Sequence, residues 1–218
     1  MTIINCKREI MRTKQVKCTC PFGGRRKHKG DDLIPKSTAE TPMILAYDSG
    51  VVIATGNVGS INNSSGTAGM GTYVAIRHDN GLVTRYQHLM HNHNMVKKGD
   101  RVKRGQEIGV YGRPTNGNSD GSHLHFDISA PVNLGEGYIV GTFCGETRYY
   151  YDPTPYLELK TGTITGDVNI RTGAGTNHKI AGELKAGSGI TIYGRSGKWL
   201  RISPNLPRWI HNNYVKEW

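Results

Sequence analysis

The sequence predicts an all-β protein built from two units. Three observations carry that expectation. Short runs rich in Val, Ile, Tyr and Thr recur along the 218 residues. Gly, Asn and Ser turns separate them, with glycine at 29 positions. No segment keeps a helical period over several turns. In the first unit the expected strands cover 50–54, 72–77, 83–86, 107–111 and 123–128, and residues 56–71, with an Asn-Asn-Ser-Ser-Gly run from Asn62, read as a flexible loop. In the second unit they cover 168–171, 180–184, 189–193, 199–202 and 209–210. These last runs are short and closely spaced, which suits a small barrel of roughly 55–60 residues. Residues 152–156, with Pro153 and Pro155, read as the exit from the first unit, and 157–161 as a short linker. The division is therefore placed at 1–160 and 161–218.

Bulk properties narrow the partners. No apolar run approaches the ~18 residues of a membrane-spanning helix. Lys7, Arg8 and Glu9 fall where a secretion signal needs its apolar stretch, so the chain is expected to be made in the cytoplasm without one and to reach any outside target by another route. The net charge is +11. Residues 1–36 hold ten Lys/Arg and three acids, residues 160–218 nine and three, and the middle nine and eleven. Two basic ends on a near-neutral middle point to a polyanion, either nucleic acid or the anionic polymers of a bacterial wall. No helix-turn-helix, zinc finger or RNA-binding aromatic motif supports nucleic acid. Cys6, Cys18, Cys20 and Cys144 do not have zinc-finger spacing and are expected to be reduced thiols.

Three segments hold the chemistry. The first runs from Phe22 to Asp32 and contains His28, Gly30 and Asp32; the second is Arg85-Tyr-Gln-His88-Leu89; the third is Gly121-Ser-His123-Leu-His125-Phe-Asp-Ile128. In a strand, residues i and i+2 share a face. His123 and His125 then face a cleft or solvent, while Leu124, Phe126 and Ile128 face the core. Catalytic zinc takes three protein ligands from imidazole nitrogen and carboxylate oxygen and leaves a fourth position for water. His28, Asp32 and one of His123 or His125 supply such a set. The other histidine of the pair and His88 remain to handle protons.

These segments, in this order, resemble the lysostaphin/LytM-type zinc metallopeptidases that cleave peptidoglycan, with their H-x-G-x-D, Y-x-H-L and H-L-H-F motifs. His28-Lys-Gly-Asp-Asp32 fits the first motif, and Gly71 to Gly81 followed by Tyr86-Gln-His88-Leu89 fits the central hairpin. The run Val96 to Gly109 resembles the turn before the active-site strand, and Gly112 to Asn118 with Gly121 to Ile128 fits the last motif. The resemblance covers about two-thirds of the chain. It implies an antiparallel β-sheet catalytic domain, Zn2+ as cofactor, and His28, Asp32 and His125 as its ligands. It implies that His88 and His123 are the catalytic, non-ligand histidines, His123 as general base and His88 at the oxyanion. The basic N-terminal stretch with Cys18 and Cys20 has no counterpart in it, and residues 131–151 exceed what the motif requires. Residues 162–218 resemble a bacterial SH3-like domain, which implies wall binding, with Tyr193 and Trp209 as candidate contacts and Trp199 partly buried. The whole is similar in layout to a phage endolysin, with peptidoglycan of a Gram-positive host as the expected partner. The competing readings are a non-catalytic wall-binding protein and a bacterial wall-remodelling hydrolase.

Overall fold

A computed structural model describes residues 2–13, 15–24, 27–36, 42–56, 70–112, 122–135 and 137–218. Most of the loop expected over 56–71, and the 113–121 part of the last motif region, lie outside the described residues. The chain is nearly all β and antiparallel. It begins with strands β1 (Thr2–Asn5), β2 (Gln15–Cys20), β3 (Asp31–Pro35), β4 (Met43–Leu45), β5 (Gly50–Gly56), β6 (Thr72–His78) and β7 (Val83–Leu89). It continues through β8 (Arg101–Val102), β9 (Glu107–Val110), β10 (Leu124–Ala130), β11 (Tyr138–Phe143) and β12 (Glu146–Tyr151). The main sheet runs β1-β2-β3-β10-β7-β6-β5-β8, with β12 also on β10 and β11 on β12, while β4 and β9 form a separate ribbon.

β10 is the hub of this sheet, and its composition explains why. Leu124, Phe126 and Ile128 are all buried to within 1% exposure and join Leu33, Ile76, Tyr86 and Tyr47 in one apolar cluster. That face fixes the register, because a one-residue slip would turn it to solvent. With the register fixed, β10 sets His125 opposite Asp32 of β3 and opposite Gln87 of β7.

Three segments differ from the sequence expectation. The basic N-terminal stretch forms the β1–β2 hairpin, whose Ile4, Val16 and Cys18 point into the core. Residues 131–151 contain the β11–β12 hairpin, closed by Cys144 and Gly145 at positive φ. The exit and linker over 152–161 hold a short helix, α1 (Thr154–Glu158), and the start of β13 (Lys160–Ile164). Pro153 caps α1 and Pro155 sits in its first turn, where a missing N–H costs nothing.

From β13 on, the chain forms two small sheets. β13 pairs with β16 (Gly189–Ile192) and β20 (Val215–Glu217). β14 (Val168–Arg171), β15 (Ile180–Leu184), β17 (Gly194–Ser196), β18 (Trp199–Arg201) and β19 (Trp209–His211) form the other. Ile164, Val168, Ile192, Leu200 and Ile210 fill its core. Among the described residues no helix is long and apolar enough to cross a membrane.

Candidate metal centre

His28 lies in the turn before β3, Asp32 on β3 and His125 on β10. The turn reaches β10 because Gly30 has no side chain: a Cβ there would stand 2.3 Å from the Phe126 carbonyl oxygen. The three candidate donor atoms then converge. His28 Nε2 is 3.0 Å from His125 Nδ1 and 3.1 Å from Asp32 Oδ1, and His125 Nδ1 is 2.9 Å from the same oxygen. Ligands held at about 2.0–2.2 Å around a tetrahedral ion stand about 3.3 Å apart, so the set fits a divalent cation.

Hydrogen bonds behind the ligands decide which atoms face inward. His28 Nδ1 is 3.3 Å from the Pro21 carbonyl oxygen, which can only accept. Its proton is therefore on Nδ1, and the Nε2 lone pair turns to the centre. His125 Nε2 faces Asp127 Oδ2 at 3.4 Å, which favours the proton on Nε2 and the lone pair on Nδ1. Two lone pairs and a carboxylate oxygen facing one another at 3 Å repel unless a cation sits among them. Burial would raise the Asp32 carboxyl, but His125 and His28, which donate to it whenever they carry a proton on the side that faces it, hold it well below the usual range. For His125, burial works against the charged ring, yet Asp127 and Asp32 raise it to about 9. The negative potential behind that rise equally favours a metal dication.

Asp127 is itself fully buried. Arg85 Nε donates to both its oxygens at 2.9 Å, and Gln87 Nε2 donates at 2.8 Å. Sequence reasoning assigned no role to Asp127, Arg85 or Gln87. The period-2 rule that placed His123 beside His125 extends to Asp127, and it puts Arg85 and Gln87 on one face of β7.

His88 and His123 stand beside the three donors. Their rings are 4.8 Å apart, and the His88 ring is 6.1 Å from that of His125. His123 Nε2 lies 3.8 Å from Asp32 Oδ1. Strict alternation along β7 would send His88 to the core face with Thr84 and Tyr86. A left-handed backbone at His88, φ 63, breaks the alternation and aims the ring at the cleft. Burial first, then the neighbouring His123 and His125, push the His88 imidazole down to about 3, so it is neutral near pH 7.

Tyr193 and Trp209 stand elsewhere, at the junction with the C-terminal sheets. Tyr193 is half-buried with its ring 5.5 Å from that of Tyr156. Trp209 is only 1% exposed and donates through Nε1 to the Leu134 carbonyl at 3.1 Å. Both border a groove of about 490 Å³ that also takes in Phe22, Tyr151 and Pro155. Trp199 is half-buried and stacks edge-on against His211.

The profile described as Peptidase family M23 matches residues 26–135, which hold all five of these histidines and aspartate. The chain belongs to peptidase family M23. Within the M23 region it is 37% identical over 109 residues to the peptidoglycan DD-endopeptidase ShyC of Vibrio cholerae, covering 50% of this chain and 22% of that one. It is 40% identical over 96 residues to ShyA, a peptidoglycan DD-endopeptidase of the same organism, covering 43% and 19%. The M23 chain thus spans about a fifth of the length of these relatives. Lysostaphin from Staphylococcus simulans superposes with a TM-score of 0.45 at 23% identity, covering 90% of this chain and 86% of that one. A second profile, Bacterial SH3 domain, matches residues 166–216, so the M23 domain is followed by an SH3-like one.

Proposed function

We propose that the chain is a zinc-dependent endopeptidase that hydrolyses peptide bonds in the cross-links of bacterial peptidoglycan. The observation that carries this reading is the convergence of His28 Nε2, Asp32 Oδ1 and His125 Nδ1 within 2.9–3.1 Å, lone pairs inward. The DD-endopeptidase relatives support peptidoglycan as the substrate class. His28, Asp32 and His125 would hold a zinc ion, which would supply Lewis acidity to activate water and polarise the scissile carbonyl. The chain's own residues do the rest. Asp127 and the Pro21 carbonyl hold the two imidazoles in the tautomers that ligation needs. An imidazole pushed down to about 3 is a poor base, so His123 takes the proton of the attacking water and neutral His88 donates a hydrogen bond to the developing oxyanion. The SH3-like domain over 161–218 holds the enzyme on the wall, with half-buried Tyr193 as a contact; Trp209, expected as a second contact, is 1% exposed and packed on the Leu134 segment, so it cannot reach a wall polymer. A catalytic domain followed by a wall-binding one suits a phage endolysin that lyses its host. The DD-endopeptidase relatives are from Vibrio cholerae and lend no support to a specifically Gram-positive wall.

The test is release of soluble fragments from purified peptidoglycan, read together with metal content. Chelation and His125→Ala should each abolish release, His125→Ala also removing the bound zinc. His88→Ala should keep zinc while turnover falls by about 10²–10³, the usual loss for one oxyanion donor. Release that continues in metal-free protein would overturn the reading.

A further inference from the structure

Cys20 ends β2 beside the metal centre, and none of the roles above uses it. The pairing of β2 with β3 brings it there through a bulge. Lys17 stands opposite Ile34 and Cys18 opposite Leu33, but Cys20 rather than Thr19 then stands opposite Asp32. The bulge turns the thiol toward the carboxylate that a regular strand would have given to Thr19. Cys20, His28 and Asp32 each offer a donor atom, and the three atoms lie within 4.8 Å of one another. The loop after β2 packs over the sulfur through Gly24, where a Cβ would stand 3.5 Å from Sγ. Cys20 is half-buried, so part of its side chain meets solvent.

We propose that Cys20, His28 and Asp32 form a second metal position, selective for thiophilic ions such as Cd2+ or Cu+, that overlaps the first. The two positions share His28 and Asp32 and differ in the third donor, a thiolate in one and an imidazole in the other. Soft thiolate favours soft cations, whereas imidazole and carboxylate accept zinc. A shared ion asks for donors about 3.3–3.6 Å apart, so the Cys20 thiol has to move in toward His28 and Asp32 on binding. On binding, the S–H bond breaks, a sulfur–metal bond forms and one proton goes to water; nothing is oxidised or reduced. Because two ligands are shared, one ion excludes the other, and a thiophilic ion held on Cys20 displaces the ion at His125. That displacement rests on the zinc centre proposed above, whereas thiophilic binding itself needs only the Cys20, His28 and Asp32 donors.

Metal-free protein of all 218 residues carrying Cys144→Ser, which removes the one exposed thiol, is titrated with Cd2+. The near-ultraviolet band of cadmium–thiolate bonding should rise and level off at one Cd2+ per chain. Adding Cys20→Ser should abolish the band, and His28→Ala should weaken Cd2+ binding at least about tenfold. A band that survives Cys20→Ser, or no band in the parent, overturns the proposal. The Cys20→Ser protein should still bind one zinc; loss of zinc from parent and variant alike would instead indict the His28–Asp32–His125 centre.

Discussion

At the scale of single residues, Asp127 carries more of the centre than its silence in the sequence suggests. It aims His125, and it is the sole carboxylate on the buried Arg85 side chain among the described residues. Asp127→Asn keeps the volume and removes the charge. The expected result is metal affinity about 10–100-fold lower, as for other carboxylates that hold a ligating imidazole, measured by competition with a chromophoric chelator. Undiminished affinity would show that Asp127 does not orient His125. Asp127→Ala should do worse, because stranding a buried guanidinium costs about 3–5 kcal/mol. His28, Asp32 and the His123/His125 pair stand out in the sequence because metal ligation demands particular side chains, and only the family resemblance chooses His125 from the pair. Asp127, Arg85 and Gln87 were not read, because their roles exist only once β7 and β10 are paired in register.

At the scale of elements, alternation named the strands and then failed where the backbone departs from it. The faces of β10 follow from Leu124, Phe126 and Ile128. The aim of His88 depends on one left-handed residue at the end of β7, and that of Cys20 on one bulge in β2; neither leaves a mark in composition. The hairpins β1–β2 and β11–β12 lie in segments the family motifs do not cover, so motif reading passed over them. β6 ends in a residue with a testable pH signature. His78 is buried, its Nδ1 donating to the Ser49 carbonyl at 3.1 Å and its Nε2 accepting from the Thr84 hydroxyl at 2.8 Å. Burial, opposed by the bond to Ser49, lowers its pKa from the ordinary histidine value. A histidine lowered on folding contributes its full stability above the unfolded value, about 6.5, and loses it as pH falls from there toward the folded value. His78→Gln should therefore lose less stability than the parent between about pH 6.5 and more acid conditions, in paired thermal melts of metal-free protein. Parallel curves would mean that His78 does not titrate on unfolding.

At the scale of the whole molecule, the SH3-like domain is packed on the M23 domain and not merely tethered to it. Trp209 donates to the Leu134 carbonyl, and Gly135 passes so close that a Cβ would stand 2.6 Å from the indole. Tyr156 of α1 donates to the Pro204 carbonyl at 3.1 Å and accepts from Arg201 at 2.9 Å. The Arg201 guanidinium also lies 5.0 Å over the Tyr151 ring, and Asn205 reaches the Asn80 carbonyl at 2.8 Å. Reading the sequence as two separate patterns found each domain and missed this contact, because Trp209 reads as a wall-binding aromatic of the second unit and Tyr156 as part of the exit from the first. The contact predicts coupled stability. Trp209→Ala removes a buried ring, about 3–5 kcal/mol, and leaves the Leu134 carbonyl without its donor. If the domains share one cooperative unit, the near-ultraviolet signal of the SH3-like aromatics and the release of zinc from the M23 centre should shift together to lower temperature. Deleting 161–218 should likewise lower the melting temperature of the M23 domain, and not only its attachment to walls. Zinc release at the parental temperature in both variants would show that the domains fold independently and that the interface only sets their relative position.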